Sequence, residues 1–238
     1  MQLLLLTPKQ MNETTKRYED TTILKVLVGS RAHGLHNDAS DYDFRGVFVT
    51  PTHKILSLDP GTKNTQWIEG DVDNTSWEIG HFLRLAVRCN PTILETFLAP
   101  VENSTPIGDE LRSLFPYTWN SHGVRDAFVG YGLNQRKKFL EAKDGRPEKF
   151  AVAYARTLIQ AYELLTTGTF TIRISETEHG PMLIKWKHGN FTYGEVIQFC
   201  KEWEERVREA YIYSPPKETN MQVINSFLLK VRHQYFTI

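Results

Sequence analysis

The chain has 238 residues, 40% hydrophobic and 24% charged, with 28 Lys plus Arg against 28 Asp plus Glu. That is enough apolar material for one compact two-part protein or two small domains, and it excludes large-scale disorder. A formal net charge of zero excludes a globally basic nucleic-acid binder but leaves room for a local basic groove.

The amino terminus, MQLLLLTPKQ, has four leucines and no basic residue before them, so it does not read as a signal peptide. Residues 10–22 are polar and predict a first helix. ILKVLVGS predicts a buried strand over 23–28 that ends in Gly-Ser. RAHGLHNDAS is a polar, turn-rich loop. DYDFRGVFVTP alternates, is rich in aromatic and β-branched residues, and predicts a second strand stopped by Pro51. Residues 54–76 predict further short strands with a turn at Pro60-Gly61. In TSWEIGHFLRLAVRCN, the residues Ile79, Phe82, Leu83, Leu85, Ala86 and Cys89 form a helical stripe, with Thr75 or Ser76 as its N-cap. Asn90-Pro91 ends that helix and PTILETFLAP opens another.

Beyond residue 118 strand signals fade. Helical patterns occupy 122–142, 147–166, 192–212 and 218–235, with FTIRI (170–174) and MLIKW (182–186) predicted as a hairpin-like interruption. The expected organisation is an α+β half, residues 1–115, and a mainly helical half, residues 116–238. A linker rich in Pro, Ser, Thr and Asn is expected around 100–120. No run approaches the ~20 apolar residues of a membrane helix. Cys89 and Cys200 lack metal or redox spacing and are expected to be reduced, buried thiols of a cytoplasmic protein.

The chemistry concentrates between residues 28 and 45. A strand ends in Gly29-Ser30, a polar loop follows, and the next strand opens Ser40-Asp41-Tyr42-Asp43. Residues two apart on a strand share a face, with Cβ atoms ~7 Å apart. Asp41 and Asp43 therefore aim at one place and repel each other, a conflict that a divalent cation such as Mg²⁺ or Mn²⁺ resolves. Gly29 lets the backbone approach a phosphate, and Ser30 and Ser40 add hydroxyls. Arg31 and Arg45 are the expected cationic contacts for triphosphate oxygens. His33, in the loop, reads as a nucleotide or phosphate contact rather than a zinc ligand.

Three further features carry weaker signals. Arg156, a lone cation in AVAYARTLIQAY, is expected to be paired or turned to a cleft. Arg84 and Arg88, four apart, read as solvated charges or substrate contacts. QRKKFLEAKDGRPEK (135–149) is basic enough to hold an RNA backbone, or to be a solvated helix end.

GSRAHGLHNDASDYDFRGVFVTP is similar to the pattern of the polymerase-β-like nucleotidyltransferase superfamily. Within it, the chain resembles a branch of predicted nucleotidyltransferases linked by name to RNA repair, the RNA repair pathway DNA polymerase beta family. DVDNTSWEIGHFLRLAVRCNPTILETFLAP also resembles that branch, and KFAVAYARTLIQAYELL matches it loosely.

The resemblance implies an α+β fold with a short mixed sheet and flanking helices. It implies a Gly-Ser turn holding phosphates of an NTP such as ATP, and two metal-binding acids matching Asp41 and Asp43. It also implies a third carboxylate on a later strand. Asp73 is the favoured candidate for that role, with Asp71 and Glu78 as alternatives; Glu78 equally suits a helix start. The implied reaction moves an NMP to a hydroxyl and releases pyrophosphate. The acceptor is an RNA 3′ end, tRNA-like or otherwise, or a protein hydroxyl as in antitoxin-like enzymes. A non-catalytic nucleotide-binding module is a further alternative.

Overall fold

The computed structural model describes residues 21–38, 40–58, 60–69 and 72–236, with side chains described at all of these except 66–69 and 72. The predicted helix over 10–22 lies outside them apart from its last two residues, and Thr22 opens the first strand. Asp71 also lies outside.

Five strands form one mixed sheet: β1 (Thr22–Val28), β2 (Tyr42–Phe48), β3 (Asn64–Glu69), β4 (Val72–Glu78) and β5 (Val101–Ser104), in the order β3-β4-β2-β1-β5. β1 is antiparallel to both β2 and β5. β4 is parallel to β2 and antiparallel to β3. β1 sits near the middle and buries Ile23, Leu24, Val26 and Val28. β2 changes character along its length. Tyr42 is exposed and Asp43 to Arg45 are half-buried, whereas Gly46, Val47 and Phe48 are buried. The strand therefore starts at a cleft and ends in the core.

Short helices flank the sheet: α1 (Gly29–Ala32), α2 (Thr52–Ile55), α3 (Ile79–Ala86), α4 (Pro91–Leu98), α5 (Pro106–Ser113) and α6 (Phe115–Thr118). The helical half follows as α7 (Ser121–Leu140), α8 (Pro147–Thr167), α9 (Gly180–Lys187), α10 (Tyr193–Tyr213) and α11 (Met221–Gln234). Capping sets several boundaries. Asn90 accepts from Ile93 N at the start of α4, and Asn120 accepts from Gly123 N at the start of α7. Thr192 and Glu195 form a reciprocal capping box on α10.

Four expectations are corrected. Thr75 and Ser76 are strand residues rather than helix caps, and α3 starts only at Ile79 with Glu78 as its N-cap. Polar β4 lies between β2 and β3, so ladder bonds on both sides satisfy its backbone and override weak strand propensity. The first two residues of the region predicted as short strands, Lys54 and Ile55, belong instead to the helical turn Thr52–Ile55. The stretch 100–120 is no loose linker: β5 pairs with β1, and α5 packs so closely that a Cβ on Gly108 would lie 2.1 Å from the Ile23 carbonyl oxygen. Residues 170–174 and 182–186 form no hairpin. The latter lie in α9, where Pro181 occupies the first turn, whose N–H needs no partner, and Leu183 and Trp186 are buried three residues apart.

The core continues from one half to the other. Rings of Phe97 on α4, Phe115 on α6, Phe170 and Phe128 on α7 follow one another at centroid distances of 6.0–6.2 Å. α11 returns to the sheet half, where Thr52 Oγ1 donates to the Arg232 carbonyl at 2.5 Å. Cys89 and Cys200 are buried and free. Among the described residues no helix is long and apolar enough to cross a membrane.

Candidate active site

The site begins where β1 ends. Gly29 takes φ +69°, and a Cβ there would lie 2.1 Å from Asp43 Oδ2. Only glycine lets the chain turn beneath that carboxylate. Val28 pairs with Asp43 across β1 and β2, and Asp43 pairs with Asp73 across β2 and β4. Paired residues on adjacent strands, ~4.8 Å apart, project to the same side of the sheet. Asp41, two residues before Asp43, joins them. All three line one cleft of about 490 Å³, together with Gly29, Ser30, Ser40 and Arg45.

The electrostatics of this cluster are unfavourable without a cation. Burial pushes the Asp43 carboxyl above its ordinary range; Asp73 and Asp41 push it further, while Arg45 and Lys149 oppose the rise. Asp73 Oδ1 is buried with no hydrogen-bond partner. Among the described residues no three His, Cys, Asp or Glu side chains cluster closely enough to hold a metal ion by themselves. An orphaned acceptor beside two repelling carboxylates fits a hard divalent cation that takes one or two carboxylates and completes its shell with phosphate and water.

A second carboxylate in the cleft is wired differently. Glu95 and His33 are buried, and His33 Nε2 lies 2.7 Å from Glu95 Oε1. Glu95 Oε2 lies 3.5 Å from Arg156 Nη1, which donates to Gln160 Oε1 at 2.9 Å; Gln160 Nε2 donates to the Thr171 carbonyl at 3.1 Å. Burial alone would raise the Glu95 carboxyl, but Arg156 first and His33 second hold it down to about 2. Burial and Arg156 push His33 below its ordinary value against the pull of Glu95. An ionised carboxylate only accepts, so a neutral His33 donates from Nε2. The chain of contacts ties the loop after α1, through α4, to α8.

Other expected residues fall elsewhere. Arg31 does not line the cleft. Its Nε and Nη2 donate to the Ser40 carbonyl at 3.2 and 2.8 Å, Nε also reaches the Asp41 carbonyl at 3.3 Å, and the guanidinium lies 3.8 Å from the Tyr42 ring centroid. It braces the loop that delivers Asp41. Ser40 Oγ does the same from within, donating to Asn37 Oδ1 and accepting from Asn37 N. Arg45 stays in the cleft, its buried Nε without a partner.

Glu78, the alternative third carboxylate, lies outside the cleft lining. It pairs with Phe48 at the far end of β4, accepts from Gly80 N at 2.8 Å and ion-pairs with Arg232 at 2.7 Å. Arg84 and Arg88 also lie outside the cleft-lining set. The helical half adds Tyr131, Lys187 and, from the stretch expected to hold an RNA backbone or to be a solvated helix end, Gln135, Glu148 and Lys149. Lys187 carried no local signal.

Known proteins resemble the chain at modest identity. An uncharacterized protein of Bacillus subtilis (strain 168), YcgL, is 22% identical over 179 residues, covering 71% of this chain and 69% of the relative. A 38.9 kDa protein of enterobacteria phage T4, from the nrdC-mobD intergenic region, is 28% identical over 135 residues, covering 50% of this chain and 38% of the phage protein.

Among solved structures, spectinomycin adenyltransferase AAD(9) from Enterococcus faecialis aligns with a TM-score of 0.45 and 14% identity, over 85% of this chain and all of that one. A nucleotidyltransferase-like protein from Exiguobacterium sibiricum 255-15 aligns with a TM-score of 0.31 and 11% identity, over 94% and 80%. The model of the RNA repair pathway DNA polymerase beta family, RlaP, matches residues 7–222, a span that takes in the whole sheet and the helices up to the start of α11, and the chain belongs to that family.

Proposed function

We propose that the protein transfers an NMP from a nucleoside triphosphate to an acceptor hydroxyl and releases pyrophosphate, with an RNA 3′ end as the acceptor. The observation that carries this reading is the cluster itself: Asp41, Asp43 and Asp73 line one cleft beside the Gly29-Ser30 turn, with Asp73 Oδ1 unpartnered. Two of the carboxylates Asp41, Asp43 and Asp73, with phosphate oxygens and water completing the shell, would hold Mg²⁺ or Mn²⁺, which when bound neutralises phosphate charge and acidifies the acceptor hydroxyl. The Gly29 turn brings main chain close to a phosphate without a side chain in the way, and Ser30 offers a hydroxyl to the same group. The acceptor oxygen forms a bond to the α-phosphorus as the bond to pyrophosphate breaks. Asp73, through its free oxygen, receives the acceptor's proton. The RNA acceptor is supported by the family's description and by the basic stretch 135–149, whose Lys138 lies 5.7 Å from the ring centroid of Phe150 in the cleft lining.

Purified protein with Mg²⁺ and each α-labelled NTP, ATP first, is incubated with total RNA and total protein. The expected result is label in RNA that Asp41→Ala abolishes. Label confined to protein would replace RNA by a protein hydroxyl as acceptor. No label in any fraction, with NTP binding untouched by Asp41→Ala, would end the proposal.

A further inference from the structure

We infer that Lys63, Arg84 and Arg88, with His81 among them, form a docking row for the phosphate backbone of an RNA, outside the cleft, that holds the acceptor strand behind its 3′ end. This rests on the RNA-acceptor reading above and adds a contact region that the transfer chemistry does not use.

Three observations carry it. First, the row has a direction. Asp73 and Glu78 are five residues apart on β4, so α3 starts ~16 Å from the carboxylates. The eight residues of α3 span ~12 Å, and by Thr92 the chain lines the cleft again. Arg84 and Arg88 lie on that return path, and buried Ile79, Phe82, Leu83 and Ala86 fix α3 beneath them. Lys63 joins at the far end, where its carbonyl accepts from Glu78 N at 2.9 Å.

Second, the row is cationic and unspent. Lys63, Arg84 and Arg88 are exposed, and their side chains make no hydrogen bond or ion pair with another described residue. α3 and α11, which pack together, carry no Asp or Glu. Glu78, the acid at the start of the row, is already bound to Gly80 N and Arg232. Third, the cations converge. A Cβ on Gly80 would lie 2.8 Å from Arg232 Nη2 and 3.8 Å from Arg84 Nη1, so two guanidinium groups share the first turn of α3. Burial first, then Arg84 and Lys63, push the His81 imidazole below its ordinary value; Arg88 adds to the fall and Glu78 opposes it. Like charges held this close repel one another. A polyanion relieves that repulsion along the whole row, whereas a small anion meets it at one point. An RNA backbone repeats its charge at every nucleotide and releases counterions as each phosphate is met. The approach of the row to Thr92 ties it to an acceptor whose end lies in the cleft, which favours RNA over an acidic protein.

The probe is a fluorescent single-stranded RNA of about 20 nucleotides, longer than one ordinary single-strand site, titrated by anisotropy over a range of salt. Arg84→Ala with Arg88→Ala should weaken binding about tenfold and flatten the slope of log K against log salt by about 1.4, the share of two phosphates. Adding Lys63→Ala should flatten it by about 0.7 more. Arg84→Lys with Arg88→Lys should stay within about threefold of wild type, because lysine keeps the point charge. NMP transfer to an RNA dinucleotide, too short to reach the row, should stay within about twofold, as for sites with no shared partners. Both arginines are exposed, and circular dichroism of the variants checks their fold.

The inference is overturned if the alanine pair binds the RNA with wild-type affinity and salt slope, or if wild type does not bind it. It is also overturned if the pair lowers transfer to the dinucleotide as much as to the long RNA, or loses an acidic protein partner while keeping RNA affinity. Arginine-dependent RNA binding without NMP transfer to any acceptor would instead remove the transfer reading and leave the row standing. Transfer to RNA with binding unchanged in the alanine pair would remove the row alone.

Discussion

Asp43 and Glu95 line the same cleft, yet their surroundings treat them in opposite ways. Around Asp43 the sheet gathers two more carboxylates, lifts its carboxyl above the ordinary range and leaves a neighbouring oxygen, Asp73 Oδ1, without a partner. Around Glu95 the helices gather Arg156 and His33 and hold the carboxyl down to about 2. The first cluster is incomplete until something cationic enters. The second is complete in the folded chain and joins α4 to α8. Total charge does not separate a guest's site from a structural brace; partner satisfaction does.

The strongest way to break that contrast is to substitute one residue in each cluster. Asp43→Asn should lower NMP transfer by on the order of 10²–10³-fold, as expected on losing one group that stabilises transition-state charge. Its melting temperature should stay level or rise, because a repelled charge is removed. Transfer assays beside thermal melts test this, and a large fall in stability would show that Asp43 is a structural carboxylate. Glu95→Gln should do the reverse. Removing one partner of a buried pair strands Arg156 and costs about 3–5 kcal/mol. At ~2–4 °C per kcal/mol for a chain of this size, the melting temperature should fall by about 6–20 °C. A fall below ~2 °C would mean that the Glu95–Arg156 contact holds nothing together.

The two clusters also differed in how readable they were. Asp41, Asp43 and Gly29 stood out because strand, turn and strand are local, and the period of two places both acids on one face. The helices α7, α8, α10 and α11 were legible to within three residues at either end for a related reason: their apolar periods and caps, such as Thr192 with Glu195, are written within a few positions. β4 was harder. DNTS has poor strand propensity, and only its place between β2 and β3 makes it a strand. That same placement moved Glu78 out of the site and aligned Asp73 with Asp43. The Glu95–Arg156 pair joins residues 61 positions apart, and no period or spacing encodes such a contact. Arg31 shows the remaining limit: a sequence reveals a charge but not the direction in which its side chain is spent.

Acidity sharpens the contrast with a smaller effect. Glu95 has a folded value of about 2 against an ordinary 4.5. Its contribution to stability is complete above 4.5 and is lost as pH falls from there toward 2. The stability gap between wild type and Glu95→Gln, read from urea melts, should therefore narrow over that window. Asp43 is raised, so its penalty is present at neutral pH and is relieved as the carboxyl protonates on acidification. Any gain from Asp43→Asn should accordingly be widest near pH 7 and disappear in acid. Parallel pH curves for the two variants would contradict the assignment of opposite roles.

The smallest expected effect concerns Arg31, which lies beside the first cluster without belonging to it. Its guanidinium makes three contacts to the carbonyls of Ser40 and Asp41 and lies over Tyr42. A lysine can reproduce the charge but not this planar fork. Arg31→Lys should therefore loosen the loop that positions Asp41, costing about 1 kcal/mol in stability, the scale of one net hydrogen bond. The turnover rate should fall a few-fold, while NTP affinity stays within about twofold. If Arg31 were itself a phosphate ligand, the same substitution would spare stability and raise the NTP dissociation constant instead. Measuring Kd and kcat on the one variant separates these outcomes, because a brace acts on the placement of Asp41 and a ligand acts on the nucleotide.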